Sequence, residues 1–343
     1  MEKFKEFIAE ETKEDYRMLI LINDTPDDPN ITGKDLSKRA KKLGLEYYQL
    51  ELAGGYFSTN DKGNIVAHNY DSETSKSDEE GFEVNPKNTV CFVRGAVNHR
   101  EIWLDMVTEL EDKGVFCINS RHSHKICDDK YLNYIQLKKA GLNQPRTEIV
   151  TGSPGNVETK IEHPVSSVGG KYPLILKTVI GTKGVGVMFI ESEKSLITVL
   201  QLLYKMDEDI GLLIQEYIPT PFDVRVHVLL GEIVAVIKRP VVKGDFRSNV
   251  SQGSLPEKLE LTELEKSECI KAAKACEGIW VGVDFIPAKN REKDQPFILE
   301  VNGSPGTGHI DELNDIDIIG TVIDKFRNRT NWLKPKLFQS IYT

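Results

Sequence analysis

Two short apolar runs near the C-terminal end carry polar residues at positions that a strand brings to one face. They are Val281-Gly-Val-Asp-Phe-Ile286 and Phe297-Ile-Leu-Glu-Val-Asn302, the second running on into Gly303-Ser-Pro305. Both are rich in β-branched residues and a polar turn separates them, so together they predict a β-hairpin. Side chains alternate between the faces of a strand. Val281, Val283 and Phe285 then share one face with Asp284 opposite; Phe297, Leu299 and Val301 share one face with Ile298, Glu300 and Asn302 opposite. The hairpin is expected to bury one face and present Asp284, Glu300 and Asn302 together on the other. Two carboxylates and an amide oxygen are hard donors of the type that hold Mg²⁺ beside phosphates. Glu300 and Asn302 lie about 6–7 Å apart at Cα, a spacing that suits a carboxylate shared by two metal ions roughly 3.5–4 Å apart. The plainer alternative is a pair of solvent-facing carboxylates, and the hairpin alone does not choose.

The chain around this hairpin has 343 residues, 39% hydrophobic and 28% charged, which points to a globular protein of two or three domains. A net charge of -9 argues against a protein that coats nucleic acid, and the basic run Lys34–Lys42 reads as one face of an amphipathic helix. Five cysteines are scattered without CxxC spacing, as expected of reduced thiols rather than a disulfide frame or zinc site. The first residues are charged, without the apolar core of a signal peptide, and no apolar run approaches the roughly 20 residues that span a membrane. A cytoplasmic location without membrane contact is therefore expected.

Residues 1–17 predict a short helix with Phe4, Phe7 and Ile8 on one side. Met18–Ile22 is a buried strand, a helix follows with Leu36, Ala40 and Leu43 on one stripe and Gly44 as its stop, and Glu46–Leu52 is a further strand. That order opens an α/β layer. Residues 53–88 break the pattern, and the acidic run Asp71–Glu83 reads as a surface excursion or hairpin. Thr89–Val93 resumes a strand; Ile102, Trp103, Met106 and Leu110 mark an amphipathic helix, and Val115–Ile118 a short strand. His122 and His124 form an HxH pair that lacks a further close ligand, so they read as loop histidines. Asp128-Asp129-Lys130 caps the next helix.

Tyr172–Val179 is a strand carrying Lys177, and a glycine-rich connection with Gly181, Gly184 and Gly186 joins it to Val187–Ile190. This is neither a Walker A loop nor GxGxxG. It reads as a hairpin flap whose backbone N–H groups can approach a phosphate, or as an ordinary turn beside a snorkelling lysine. Ser192 caps a helix to about Lys205, Leu212–Ile218 is a strand, and Asp223–Leu230 and Ile233–Arg239 form a hairpin with Asp223, Arg225 and His227 on one face. The polar loop Lys243–Asn249 offers Arg247, a fork for phosphate or carboxylate if it is not simply solvated. Thr262 and Glu265 form a capping box before the next helix. The second half is thus α+β, distinct from the N-terminal layer.

Taken in order, Ile180-Gly-Thr-Lys-Gly-Val-Gly186, Gln215-Glu-Tyr-Ile218, Asp223-Val-Arg225, Gly244-Asp-Phe-Arg-Ser-Asn249, Val281-Gly-Val-Asp284 and Leu299-Glu-Val-Asn-Gly-Ser-Pro-Gly306 resemble the ATP-grasp superfamily, and within it the RimK-type ligases that attach glutamate to a ribosomal-protein C-terminus. The resemblance covers roughly residues 120–325 and is strong as a set. It implies a pre-grasp α/β domain (1–119), ATP-grasp subdomains at 120–210 and 211–331, and a C-terminal tail (332–343). Carried over residue by residue, it implies that Lys130 and Lys177 contact ATP phosphates under a flap of Gly181–Val187 that includes Gly184 and Gly186. Glu216 and Tyr217 would lie at the adenine and Asp223 at the ribose. Asp284, Glu300 and Asn302 would hold two Mg²⁺, or Mn²⁺ in their place. Arg239 and Arg247, with Ser248 and Asn249 beside them, would stabilise the acyl phosphate and tetrahedral intermediate. The implied activity is an ATP-dependent carboxylate–amine ligase acting on an amino acid and a protein or peptide acceptor. The alternatives are a small-molecule or peptide side-chain acceptor, or a non-catalytic ATP-binding module. The sequence leaves the oligomeric state open, a homo-oligomer included.

Overall fold

The computed structural model describes residues 16–24, 29–71, 76–77, 80–95, 100–181, 186–241 and 255–332. The helix expected within residues 1–17, most of the glycine-rich flap with Gly184, the loop carrying Arg247, Ser248 and Asn249, and the tail beyond 332 lie outside the described residues. The chain divides into two compact, discontinuous units. One comprises residues up to His124, Glu277–Trp280 and the segment from Gly303 on; the other comprises Lys125–Cys276 and Val281–Asn302.

The first unit is an α/β layer, as its alternating elements predict. Strand β1 (Arg17–Ile22) leads through helix α1 (Ile31–Lys42) to β2 (Glu46–Glu51). A hairpin follows, β3 (Gly55–Thr59) and β4 (Ile65–Asp71), with the short strands β5 (Lys76–Ser77) and β6 (Phe82–Glu83) paired to β4. Then come β7 (Thr89–Arg94), α2 (Arg100–Asp112) and β8 (Phe116–Ile118). The parallel sheet has the order β2-β1-β7-β8, and β1 is apolar and buried from Met18 to Ile22, as in a sheet covered on both faces. The segment 53–88 is a hairpin, yet Ile65, Ala67 and Phe82 join the core, so it is more than a surface excursion. In α2 the buried stripe is Trp103, Leu104, Val107 and Leu110, whereas Ile102 points to solvent.

His122 and His124 stand in helix α3 (Arg121–Asp128) rather than a loop, and His124 is buried with its ring edge-on to Trp103. Just before α3, the buried Asn119 side chain donates to the carbonyls of Trp280 (2.7 Å) and Gly303 (2.6 Å) and accepts from the N–H groups of Ile279 and Trp280. It thereby satisfies backbone groups on both segments that flank Val281–Asn302.

The second unit contains two antiparallel sheets. After α4 (Lys130–Lys139) come β9 (Thr147–Val150) and α5 (Val157–Ser167), two elements that escaped the sequence reading; α5 buries Val157 and Ile161 and contains Pro164. Next come β10 (Leu174–Thr178), β11 (Val187–Ile190), α6 (Glu193–Met206) and β12 (Leu212–Glu216). The order of this sheet is β11-β10-β12-β9. Strand β12 pairs with β10 and β9, so it completes this sheet rather than the one that follows. Its core joins Leu176, Leu196, Leu200, Tyr204 and Ile214. The other sheet, β14-β13-β15-β16, comes from β13 (Phe222–Leu229), β14 (Glu232–Pro240), β15 (Trp280–Ile286) and β16 (Phe297–Asn302), with α7 (Glu263–Ala275) opened by the predicted Thr262–Glu265 capping box. In the first unit, α8 (Ile310–Asn314) and α9 (Ile318–Arg327) complete the described elements, and α9 packs against α1.

Burial holds the His124 imidazole neutral, pulling its pKa down to about 3, and the charges of Arg94 and Arg100 add to that effect. The unfolded chain takes up this proton near pH 6.5 and the folded chain does not. Stability from this group is therefore full above about pH 6.5 and falls by roughly 1.4 kcal/mol per pH unit as the pH drops toward 3. Urea titrations between pH 6.5 and 4.5 check this: His124→Gln should lose that slope while the wild-type chain shows it.

Candidate active site

Strands β15 and β16 place Asp284 directly opposite Glu300, and Gly282 opposite Asn302. The register shifts between Asp284 and Phe285, which leaves Leu299 as the extra residue of a β-bulge. Strict alternation assigned Leu299 to the core face; the bulge instead buries Ile298 alongside Val301. Glu300 and Asn302 keep the side expected of them. The Asn302 amide nitrogen lies 3.3 Å from Glu300 Oε1 and 3.5 Å from Asp284 Oδ2, so the three side chains converge.

Asp284 is not a solvent-facing carboxylate: only 4% of it is exposed. Arg225, from the facing β13, forks it, with Nε to Oδ1 at 2.7 Å and Nη2 to Oδ2 at 2.6 Å. Arg239 on β14 reaches Oδ2 at 3.0 Å and forks Asp223 at 2.6 and 2.9 Å. Burial alone would raise the Asp284 pKa, but the two guanidiniums outweigh it and hold the carboxyl near 2. Arg225 received no role from the sequence, although its place two residues after Asp223 on the same strand face was a usable signal.

Lys130, at the start of α4, donates from Nζ to the Gly181 carbonyl at 2.6 Å, and Asp129 caps the helix by accepting from the Tyr131 and Leu132 N–H groups. Lys177 lies on β10. Burial lowers the pKa of both ammonium groups, and in each case Glu300 opposes it, so the two lysines and the β16 carboxylate occupy one electrostatic neighbourhood. At the far end of the flap Gly186 has φ +79°, and a Cβ there would stand 2.4 Å from Thr178 Oγ1, so the turn requires glycine.

Glu216 ends β12 and is held by Arg146, which donates from its backbone N–H at 2.8 Å and from Nε and Nη2 at 2.8 and 2.5 Å. Nothing in the local sequence signalled Arg146. Tyr217 packs edge-on against Phe189, with ring centroids 5.1 Å apart. The buried Asn133 of α4 also escaped the sequence reading; its amide donates to the Val301 carbonyl and accepts from the Val301 N–H, at 3.0 and 3.1 Å. Val301 sits between Glu300 and Asn302, so this clamp fixes the strand that bears them.

The donor set suits a hard divalent cation: two carboxylates in register and an amide, with Asp284 held as an anion before any ligand arrives. Among the described residues no group of three His, Cys, Asp or Glu side chains forms a metal cluster, so beside Asp284 and Glu300 the described donor is the Asn302 amide. No helix among the described residues is long and apolar enough to cross a membrane.

Residues 127–326 match the RimK-like ATP-grasp domain model. The chain belongs to the RimK-like ATP-grasp family. As a RimK-like ATP-grasp protein it binds ATP and is an ATP-dependent ligase. It is 35% identical to a Coxiella burnetii protein named "Probable alpha-L-glutamate ligase" over 221 residues, 64% of this chain and 69% of the relative. A Haemophilus influenzae protein of the same name is 33% identical over the same shares. Two solved structures share the fold. The ATP-grasp ligase PsnB complexed with a minimal precursor, Mg and ADP aligns at TM-score 0.63 and 17% identity, over 92% of this chain and 98% of that one. D-alanine–D-alanine ligase from Bacillus anthracis complexed with ATP aligns at TM-score 0.63 and 18% identity, over 95% and 99%.

Asp284→Asn leaves Arg225 and Arg239 facing a neutral partner in a dry site, which costs about 3–5 kcal/mol when one member of a buried pair is removed. Thermal or urea unfolding without nucleotide or Mg²⁺ should show that loss, whereas Glu300→Gln, less enclosed, should cost about 1 kcal/mol or less.

Proposed function

We propose that the chain joins glutamate, or another amino acid, to the C-terminus of a protein or peptide through an acyl phosphate. One observation carries this reading: Lys130 and Lys177 share an electrostatic neighbourhood with Glu300, whose register partner is the ionised Asp284. Phosphoryl transfer to a carboxylate brings anions together, and this arrangement supplies fixed cations and a metal-ligand set for them. The relatives' name and the peptide-precursor complexes of PsnB agree with an amino acid and a peptide as substrates.

In this reading Lys130 and Lys177 bind the phosphates beneath the flap that includes Gly181, Gly184 and Gly186. Glu216, oriented by Arg146, and Tyr217 receive the adenine, and Asp223 the ribose. Asp284, Glu300 and Asn302 hold two Mg²⁺, or Mn²⁺, which when bound neutralise the phosphate oxygens. An acceptor carboxylate oxygen attacks the γ-phosphorus, the bond to the β–γ bridging oxygen breaks, and ADP leaves. The amine nitrogen then attacks the acyl carbon, phosphate departs, and the amine loses a proton to give the amide. Arg239 and Arg247, with Ser248 and Asn249, offset the negative charge that develops on the transferred group and the tetrahedral oxygen. Exclusion of water by the flap preserves the hydrolysable acyl phosphate. The division of labour among 1–119, 120–210 and 211–331 belongs to the same proposal, with the acceptor read by the N-terminal part and the reaction run in a cytoplasmic setting.

ADP release is measured with ATP and Mg²⁺ across single amino acids, with and without a ribosomal-protein C-terminal peptide. Glutamate- and peptide-dependent turnover with a matching mass gain on the peptide is expected, and Glu300→Ala should lower it about 100-fold or more. Normal ATP binding with no ADP release from any carboxylate and amine pair would refute the reading.

A further inference from the structure

Arg94 ends β7 at the carboxyl edge of the parallel sheet, in register with Ile22 at the end of β1. Because β2 lies on one side of β1 and β7 on the other, the strand order reverses between β1 and β7. In open α/β sheets, ligands bind beyond the carboxyl ends of the strands at such a switch point.

The Arg94 guanidinium is buried, 4% exposed, and has no carboxylate beside it among the described residues. Its Nη2 donates to the Pro305 carbonyl at 2.7 Å and its face rests over the Trp280 ring, 5.0 Å from the centroid. Nε finds no acceptor, so Pro305 engages one of the five N–H donors that a guanidinium carries. The buried Arg239 and the half-buried Arg225 and Arg291 of the other unit behave differently: Arg225 and Arg239 fork Asp284 and Asp223, and Arg291 forks the buried Glu265. Without an anion, burial alone pulls the Arg94 pKa down to about 9. Two buried neighbours are likewise without a partner among the described residues, Nε2 of His124 and Nε1 of Trp280.

The surroundings hold this cation still. Ser304 donates to the Val93 carbonyl at 3.2 Å and the Thr307 N–H donates to Thr32 Oγ1 at 3.2 Å, which pins the loop on both sides of Pro305. A dry, oriented, uncompensated guanidinium is a receptor for an anion, since low dielectric strengthens the attraction and no side-chain ordering remains to be done. Its charge of one, beside a neutral imidazole and an indole N–H, complements a carboxylate better than a doubly charged phosphate.

We propose that Arg94 is the specificity residue that reads a carboxylate of the amino-acid substrate, in a site built from β7, the Trp280 ring and the Gly303–Thr307 loop. This rests on the ligase reading above, so the test reads binding rather than turnover. Isothermal titration calorimetry on the full chain with ADP and Mg²⁺ present compares L-glutamate with its two mono-amides, L-glutamine and L-isoglutamine. Wild type should bind glutamate roughly 10- to 100-fold more tightly than one of the amides. Arg94→Gln should abolish that ratio and leave ADP affinity unchanged. Arg94→Lys, which keeps the charge over Trp280 but not the planar fork, should reduce the ratio and carries the test if Arg94→Gln does not fold. The proposal is overturned if wild type fails to separate glutamate from both amides, or if either variant retains the full wild-type ratio. Carboxylate discrimination that depends on Arg94 without ligation of glutamate would leave the site standing and refute the proposed reaction alone.

Discussion

Asp284 exists as an anion in a place with almost no water because two guanidiniums surround it. An isolated carboxylate would protonate there, since the desolvation penalty runs to several kcal/mol per ion. Arg225 forms a two-point fork, and Arg239 is shared between Asp284 and Asp223, so two anions and two cations make a neutral cluster on one sheet. The consequence is electrostatic: the cluster does not itself supply the positive charge that a triphosphate requires. In the proposed reaction that charge falls to Lys130, Lys177 and any bound cation. The arginines keep Asp284 ionised and fix both carboxylates, and these contacts of Arg239 run through its Nε and Nη2.

Position matters as much as charge, because a bound phosphate tolerates misplacement of its ligands by only about 0.5 Å. Strand β16 is an edge strand, the kind of element free to slip or fray. Asn133 supplies both a donor and an acceptor to Val301, as a neighbouring strand would, from a helix whose first turn carries Lys130. The same short helix therefore sets both Lys130, which reaches the Gly181 carbonyl, and the register of Glu300 and Asn302. The Leu299 bulge turns Ile298 into the core and anchors the strand from its other end.

Much of this was legible in the sequence because the relevant signals are local. Alternation in Val281–Ile286 and Phe297–Asn302 put Asp284, Glu300 and Asn302 on one side, and the capping residues Asp129, Ser192 and Thr262 marked helix starts that the structure retains. What escaped was non-local. Arg146 finds Glu216 across 70 residues and Arg225 finds Asp284 across 59, and no spacing rule foretells such pairs. The bulge escaped because a single extra residue leaves no compositional mark, and the pairing of β12 escaped because its apolar run Leu212–Ile214 fits either sheet. His124 read as a loop residue because a polar Arg-His-Ser-His-Lys run shows its helical period only once Trp103 covers one face.

The arginines differ in what answers their charge. Arg225, Arg239 and Arg291 each stand against a carboxylate supplied by the chain, so the charge of each is answered from within. Arg94 stands against a backbone carbonyl, a dipole rather than a charge. A carbonyl orients a guanidinium and relieves part of its desolvation, but it leaves the net positive charge unanswered. Had the chain placed an aspartate at position 305, the segment would be held more firmly and the cation would be closed to any other anion. A proline there gives up its own N–H, cannot supply an anion, and still fixes the carbonyl that points Arg94. The residue types at 94, 280 and 305 thus keep one buried cation oriented with no carboxylate beside it among the described residues, which costs stability and is what the proposed anion site requires.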